Sequence, residues 1–423
     1  MTKLYIFNPQ NDLALATGGI NYVAPPFAMH MAHDLAVLPA FIAEPGSMLI
    51  TDSDLDAQWL EHLNATFGLD VHAVKRSMLR HLTNYQVMPW GWCLDMRRRL
   101  IKWGANSDSV PSKDTIYHLR GLSHRRVSIL IHKRLQELLG HQLCPTPVEL
   151  ATPDEVMQFV KRYRNCYIKT PWSSSGRGIY HTIDGATPEL EQWCFGALKR
   201  QGSVMCEVAL DKVIDFAVEF HCSDGKAIVR GFSIFSTDSH SQYTHGDVAP
   251  CNVLKSRITA LYPDFDEVVE ALTQVVDELV APHYNGWMGI DMLLFNKPQA
   301  PSPLSTLTSS PSPLPPPLSP LPSHPSPLSS PLSPLPSPLQ INPCVELNLR
   351  PTMGAITSML GDNIIAQDAT ALFSIEQRSS SQSPWPEHDA PVIEDHRLRA
   401  GTLCLTPASP DALYRAILTI QTS

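Results

Sequence analysis

No stretch of this chain approaches the roughly 20 consecutive apolar residues that a membrane helix requires. No stripe of Lys or Arg marks a face for nucleic acid, and the net charge of −9 is spread along the chain as ordinary solubility. The nine cysteines contain no C-x-x-C pair and no regular spacing, which suits reduced, buried thiols better than a disulfide framework. The 17 histidines show no metal spacing, and no Ser-His-Asp or Cys-His nucleophile set is evident. The opening Met1–Phe7 is too short for a signal-peptide core, and polar Asn8 follows at once. A soluble, cytoplasmic protein with neither membrane nor nucleic acid as partner is expected.

At 423 residues, two or three domains or lobes are expected. Lys3–Phe7 and Ser47–Thr51 are apolar enough for buried strands. A short helix is predicted from Asn11-Asp12, with that polar pair as its cap. Further helices are predicted around Asp54–Leu63 and Gly91–Trp103, completing a small α/β lobe by about residue 120. Leu122–Leu139 has the pattern of a basic amphipathic helix, with Ile129, Leu130, Leu135 and Leu138–Leu139 as its apolar face. Thr152-Pro153-Asp154-Glu155 opens the next helix, with Pro at its first position and acids in its first turn. Strands are predicted at Cys166–Lys169, Ser203–Val208, Ile214–His221 and Lys226–Phe235. A helix at Asp264–Val280 follows, then an apolar segment at Gly401–Leu405 and a closing helix at Pro410–Ile420. Residues 299–340 are almost all Pro, Ser, Leu and Thr, with one histidine, His324, and no Lys, Arg, Asp or Glu. That composition cannot bury enough surface to fold and is expected to be disordered.

Either side of that insert stand Gly286–Phe295 and Cys344–Gly354, both predicted as strands. Side chains alternate faces along a strand. Glu346, Asn348 and Arg350 therefore share one face, and Asp291 stands opposite Ile290, Met292 and Leu294. Two carboxylates and an amide oxygen on facing strands suit a hard cation such as Mg²⁺, which shares its oxygen ligands with phosphates; an ordinary solvated face is the bland alternative. A strand ending at Lys169 leads into Thr170–Gly178, where Ser173, Ser174 and Ser175 offer hydroxyls and Gly176 and Gly178 permit close backbone approach. The loop has neither the Gly-Lys-Ser/Thr of a phosphate loop nor G-x-G-x-x-G, so phosphate binding and a plain hairpin turn both remain open. Met205–Phe220 runs from an apolar strand into acids, fit either for adenine and ribose or for a solvated sheet edge. Arg230, Tyr243, His245 and His240 lie in a segment that suits a surface loop better than an acceptor contact.

The order of these motifs, Lys and a Ser/Gly loop, an acidic strand, G-x-D and finally E-x-N-x-R, resembles the ATP-grasp superfamily over about Leu122–Ile365. The resemblance implies an α/β (α+β) chain: two α+β lobes gripping ATP, behind a small α/β pre-ATP-grasp domain. Its divisions would be 1–120 for that domain, 121–200 for the small lobe, 201–375 for the large lobe with the 299–340 insert, and 376–423 for a C-terminal segment. Phe7–Ala16 also looks like the opening of poorly characterised bacterial ATP-grasp proteins. Carried over, Lys169 would contact the ATP phosphates, with Ser174, Ser175, Gly176 and Gly178 closing over them. Glu207 and Val208 would lie along adenine, Asp215 by the ribose. Asp291, Glu346 and Asn348 would hold Mg²⁺ (or Mn²⁺), and Arg350 would steady the transferred phosphoryl group. Two departures stand out: Met288-Gly289-Ile290 lacks the Arg often found before the Asp, and the ribose acid is Asp rather than Glu.

The implied reaction activates a small-molecule or peptide carboxylate as an acyl-phosphate for attack by an amine or thiol, with a homodimer as the usual assembly. The competing reading is a non-catalytic nucleotide-binding or interaction protein that displays the Pro-rich segment to an aromatic groove. Deleting Ala300–Pro338 separates the two. ATP turnover that survives with partner capture unaffected removes the interaction role, and turnover that survives with capture lost supports it.

Overall fold

The computed structural model describes residues 1–173, 176–239, 241–297, 339–407 and 409–421. Residues 299–338 of the uncharged insert, together with Ser174, Ser175 and His240, lie outside them.

The chain opens with a parallel sheet of β1 (Thr2–Ile6), β2 (Ser47–Ile50), β3 (Val71–Val74) and β4 (Tyr85–Pro89), in the order β3-β2-β1-β4. Leu4, Tyr5 and Ile6 are buried in succession because both faces of this sheet are covered. The cover comes from α1 (Asn11–Thr17) and α4 (Leu94–Trp103) on one face and from α3 (Asp54–Phe67) with Val37 and Ala40 on the other, while α2 (Pro26–Asp34) lies between α1 and α3 in the chain. Asn11 and Asp12 stand inside the first turn of α1 rather than capping it. The N-cap is Gln10, and it makes no side-chain cap hydrogen bond.

The helix predicted over Leu122–Leu139 is α6 (Arg126–Leu139), and Leu122 instead ends a separate helix, α5 (Lys113–Leu122). The buried face of α6 is Val127, Ile131 and Leu135 with Ser128 and His132; Leu130 is half exposed. The helix begins at Arg126 and packs beneath a sheet against α10 (Phe265–Leu279), which turns its face away from the predicted one.

A second, antiparallel sheet holds β5 (Val148–Leu150), β6 (Cys166–Lys169), β7 (Ile179–Thr182) and β8 (Val204–Val208) in the order β5-β8-β6-β7. One of its helices, α7 (Pro153–Tyr163), starts with a capping box. The Thr152 Oγ1 accepts from the Glu155 amide, and the Glu155 carboxylate accepts from the Thr152 amide. Its other helix, α8 (Pro188–Gln201), joins α7 in burying Cys166, Ile168, Val204 and Cys206. Alternation leaves Tyr167, Lys169 and Glu207 off that apolar face.

The largest sheet is built from β9 (Lys212–Ser223), β10 (Lys226–Thr237), β11 (Tyr243–Val248), β12 (Gly286–Phe295), β13 (Gln340–Asn348), β14 (Ala371–Gln377), β17 (Thr402–Cys404) and β18 (Tyr414–Ile420). Its order is β13-β12-β9-β10-β11-β14-β18-β17, antiparallel throughout. Between them the chain forms α9 (Cys251–Leu261), α10 (Phe265–Leu279), α11 (Met353–Asn363) and the hairpin β15 (Val392–Glu394)–β16 (Arg397–Ala400). Phe216, Val218, Phe220, Met288, Ile290 and Met292 point to the α6, α9 and α10 side, and α11 covers part of the other.

Further predictions fail. Tyr414–Ile420 is a strand, not a helix: residues Tyr414 to Leu418 are all buried because neighbours flank the strand on both edges and both faces. A short, continuous apolar run does not reveal its period. Arg230, Tyr243 and His245 lie in β10 and β11 rather than a surface loop. All nine cysteines are free, seven of them buried. Among the described residues no helix is long and apolar enough to cross a membrane.

Gly361 seats α11 on the chain ahead of α9, since a Cβ there would fall 2.0 Å from the Ala249 carbonyl oxygen. Gly361→Ala should cost about 1–3 kcal/mol. Gly121→Ala, in α5 with nothing within 4 Å, should stabilise by about 0.5–1 kcal/mol. Urea unfolding of the two variants checks both signs.

Candidate active site

β12 and β13, the strands on either side of the insert, pair directly. Asp291 stands opposite Glu346 and Gly289 opposite Asn348. The Asn348 Nδ2 donates to Asp291 Oδ2 at 3.2 Å. Desolvation by burial, with the neighbouring Glu346 charge behind it, pushes the Asp291 carboxyl up to about 7. Among the described residues no three His, Cys, Asp or Glu side chains gather as a metal cluster; this set is two carboxylates and an amide.

Lys169 is buried at the end of β6, and its Nζ donates to Glu207 Oε2 on β8 at 2.6 Å. Glu207 and Val208 close β8, past Cys206 where pairing with β5 stops. Among the described residues that edge of β8 is therefore without a β-partner. Asp215 on β9 lies across from Leu293 and is held by Lys212 and by Thr237 Oγ1, the latter at 3.2 Å. The loop after Lys169 returns on itself through Thr170 N–H to the Gly178 carbonyl at 2.8 Å. Gly176 and Gly178 both have φ of 72°, and a Cβ on Gly178 would meet Thr170 Oγ1 at 2.4 Å. Only glycine fits there.

The two halves of the site meet through a residue the sequence did not single out. Arg125 is buried just before α6. Its Nη1 donates to the Thr170 carbonyl and to Ser173 Oγ, both at 2.7 Å, and its Nη2 donates to Glu346 Oε1 at 2.8 Å. One guanidinium thus ties the Ser/Gly loop to the Asp291–Glu346 pair. The buried Cys344 thiol is pushed well up, first by burial and then by the charges of Asp291, Glu207 and Glu346. Arg350, just past β13, donates from Nε to Asp12 Oδ2 at 2.7 Å. Burial opposes its charge, but Asp12, Glu346 and Asp291 outweigh that and raise its pKa.

A second missed residue is Glu219, fully buried on β9 in register with Gly289. Its Oε1 accepts from Thr352 Oγ1 at 2.8 Å and from Ser233 Oγ at 3.2 Å, while its Oε2 has no partner among the described residues. A Cβ on Gly289 or Gly354 would lie 2.7 Å and 2.0 Å from its oxygens. The sequence did carry a signal, a charge inside the apolar run Phe216–Phe220. Nothing in the sequence distinguished Arg125 from its neighbour Arg126, or Asp12 from any exposed acid.

Neither a family model nor a curated protein matches the chain. Among solved structures, biotin carboxylase from Campylobacter jejuni in complex with β,γ-ATP aligns at 12% identity and a TM-score of 0.52, over 100% of this chain and 88% of that one. The chain has the ATP-grasp fold. N5-carboxyaminoimidazole synthetase from Staphylococcus aureus aligns at 8% identity and a TM-score of 0.46, over 100% of this chain and 94% of that one. A putative ATP-grasp superfamily protein from Archaeoglobus fulgidus aligns at 11% identity and a TM-score of 0.41, over the whole of both chains.

Burial pushes the Glu219 carboxyl up to about 8 from 4.5, against the hydrogen bonds from Thr352 and Ser233. The fold therefore favours the protonated acid. Stability linked to it is complete below about 4.5 and is lost as pH rises to about 8. Glu219→Gln imitates the protonated form, so its stability relative to wild type should climb across that window. Urea unfolding at a series of pH values reads this, and a pH-independent difference would mean that Glu219 is ionised in the fold.

Proposed function

We propose that the protein is an ATP- and Mg²⁺-dependent (or Mn²⁺-dependent) ligase that activates a carboxylate as an acyl-phosphate for attack by an amine or thiol, carbon–nitrogen bond formation being the favoured outcome. The observation that carries this reading is Arg125, whose guanidinium joins the Ser/Gly loop after Lys169 to the Asp291–Glu346 register pair.

The donors fit a hard divalent cation. Two carboxylates and an amide oxygen are its preferred ligand types, and the raised Asp291 acid is what a cation beside Glu346 would relieve. Asp291, Glu346 and Asn348 would hold it, and bound to ATP it supplies charge neutralisation at the phosphates. Lys169 would exchange Glu207 for phosphate oxygens, with Gly176 and Gly178 letting the loop backbone approach and Ser174 and Ser175 lending hydroxyls. The open edge at Glu207 and Val208 suits adenine, and Asp215 suits the ribose hydroxyls. Arg350 would steady the transferring group, a charge that burial keeps out of water's screening.

In the first step a carboxylate oxygen bonds to the γ-phosphorus while the bond to ADP breaks. In the second, the nucleophile bonds to the acyl carbon and phosphate leaves with the electron pair, the nucleophile's proton passing to solvent. Catalysis is then positioning and charge neutralisation, with no protein nucleophile.

An ADP-release screen over amino acids, small carboxylates and short peptides tests the activity. With a substrate that turns over, Glu346→Ala should lower the rate about a hundredfold or more; unchanged turnover would sink the metal assignment.

A further inference from the structure

The pairing of β9 with β10 holds one irregularity. Val229 stands opposite Phe220 and Gly231 opposite Glu219, which leaves Arg230 as an extra residue. A bulge of this kind bends its strand and re-aims the side chain it carries. Here the Arg230 guanidinium comes to lie 6.0 Å from the centre of the Trp287 ring. His221, opposite Trp287 where β9 pairs with β12, meets the same ring at right angles with centroids 5.8 Å apart. Trp287 is buried, His221 is half-buried and Arg230 is exposed.

A third base reaches this place from the N-terminal sheet. Burial holds the His221 imidazole below its ordinary pKa, and the charges of Lys3 and Arg230 add to that while Glu44 opposes it. Lys3, on β1, is thus close to His221, and it is paired with Glu44, whose side chain is 60% exposed. Among the described residues neither Arg230 nor His221 has a side-chain hydrogen bond or an ion pair. Three bases converge on one acid in a chain of net charge −9. The lysine and arginines of the candidate active site, by contrast, each have a carboxylate of their own.

The two places are separate. Trp287 precedes Asp291 by four residues, about 13 Å along a strand. The buried Glu219, with Thr352 on it, stands between Ala217, which faces Asp291, and His221. We propose that Lys3, His221 and Arg230 form a second anion site, which takes the phosphate group of a small ligand. The proposal does not rest on the ligase reading. A phosphate carries nearly two charges at neutral pH and three acceptor oxygens, whereas a carboxylate carries one charge on two coplanar oxygens. Cations arriving from three strands suit the first, and the arginine fork matches its geometry. Lys3 and Tyr5 share a face of β1, and Tyr5, Met88, Trp90 and Trp287 line a cavity where the apolar stem of a phosphate ester would lie.

Calorimetric titration of the full chain with inorganic phosphate tests this, with sodium acetate as the singly charged control. Wild type should bind phosphate saturably and more tightly than acetate. Arg230→Gln and His221→Gln should each weaken phosphate about tenfold, the loss of one charge-assisted hydrogen bond. Glu44→Gln frees Lys3 and should tighten binding, a gain that a damaged fold cannot imitate. Lys169→Met should bind phosphate as wild type does; a loss there with Arg230→Gln unaffected would put the anion in the nucleotide cleft and overturn the site. Equal affinity in wild type, Arg230→Gln and Glu44→Gln overturns it too, as does acetate bound as tightly as phosphate. Phenyl phosphate separates the two sources of the group. Tighter binding than inorganic phosphate, weakened by Arg230→Gln, supports an ester with its stem in the cavity, and equal affinity supports free phosphate. Failure of the ADP-release screen would leave every one of these results standing.

Discussion

The geometry of the candidate site depends on the register of one strand pair. Asp291 faces Glu346 across β12 and β13, although they stand 55 positions apart in the chain and residues 296–339 lie between the two strands. A slip of one residue would turn Glu346 and Asn348 toward α6 and α10 and put Val345 and Leu347 in their place. The core forbids that slip. Ile290, Met292, Cys344 and Leu347 are buried in the cluster under the sheet, and moving them to the polar side would forfeit burial worth about 1.5–3 kcal/mol for each large side chain. Apolar packing on one face thereby fixes where the carboxylates stand on the other. The insert between the strands is tolerable for the same reason, because closing a longer loop costs only logarithmically in its length.

On the polar face, the same sheet accepts a second expense. Glu219 is completely buried one strand over, and the two glycines beside it leave room for a carboxyl group and for little else. Thr352, which caps α11 by accepting from the Ala355 amide, donates to that carboxyl. Arg350 and Pro351 precede this cap directly. The buried acid therefore anchors the turn that carries the arginine, and its protonated form suits a pocket offering it only two hydroxyls.

How much of this could be read from the sequence follows from how local each cause is. Strand alternation put Asp291, Glu346 and Asn348 on one face, and the small-residue loop after Lys169 marked the other half, because both signals lie within ten residues. The pairing of β12 with β13 was legible once the uncharged insert was set aside. Arg125 was not, since its role comes from contacts with Thr170, Ser173 and Glu346, the last 221 positions away. Asp12 meets Arg350 across 338 positions, and no spacing rule reaches that far. The apolar face of α6 was misplaced because two faces of that helix carry leucine or isoleucine, and only the packing against α10 and β13 chooses between them. Tyr414–Ile420 failed for a related reason. A strand hemmed in on every side loses its alternation, and seven residues are too few for a helical period to prove itself absent.

The charges themselves favour a ligand that brings its own cation. The three basic groups at the centre of the candidate site each have an acid: Lys169 has Glu207, Arg125 has Glu346 and Arg350 has Asp12. Removing one member of a buried pair leaves the other uncompensated, which costs several kcal/mol. A bare polyphosphate entering this site would have to break three such pairs and strand three carboxylates beside new negative charge. A polyphosphate carrying a divalent cation would instead give Glu346 a replacement for Arg125 and release that guanidinium toward the phosphates. Asp291, held near neutrality by burial and by Glu346, would ionise as the cation arrives. The ion pairs thus hold the lysine and the two arginines in place, and under the proposed function partners of the right charge would displace the acids.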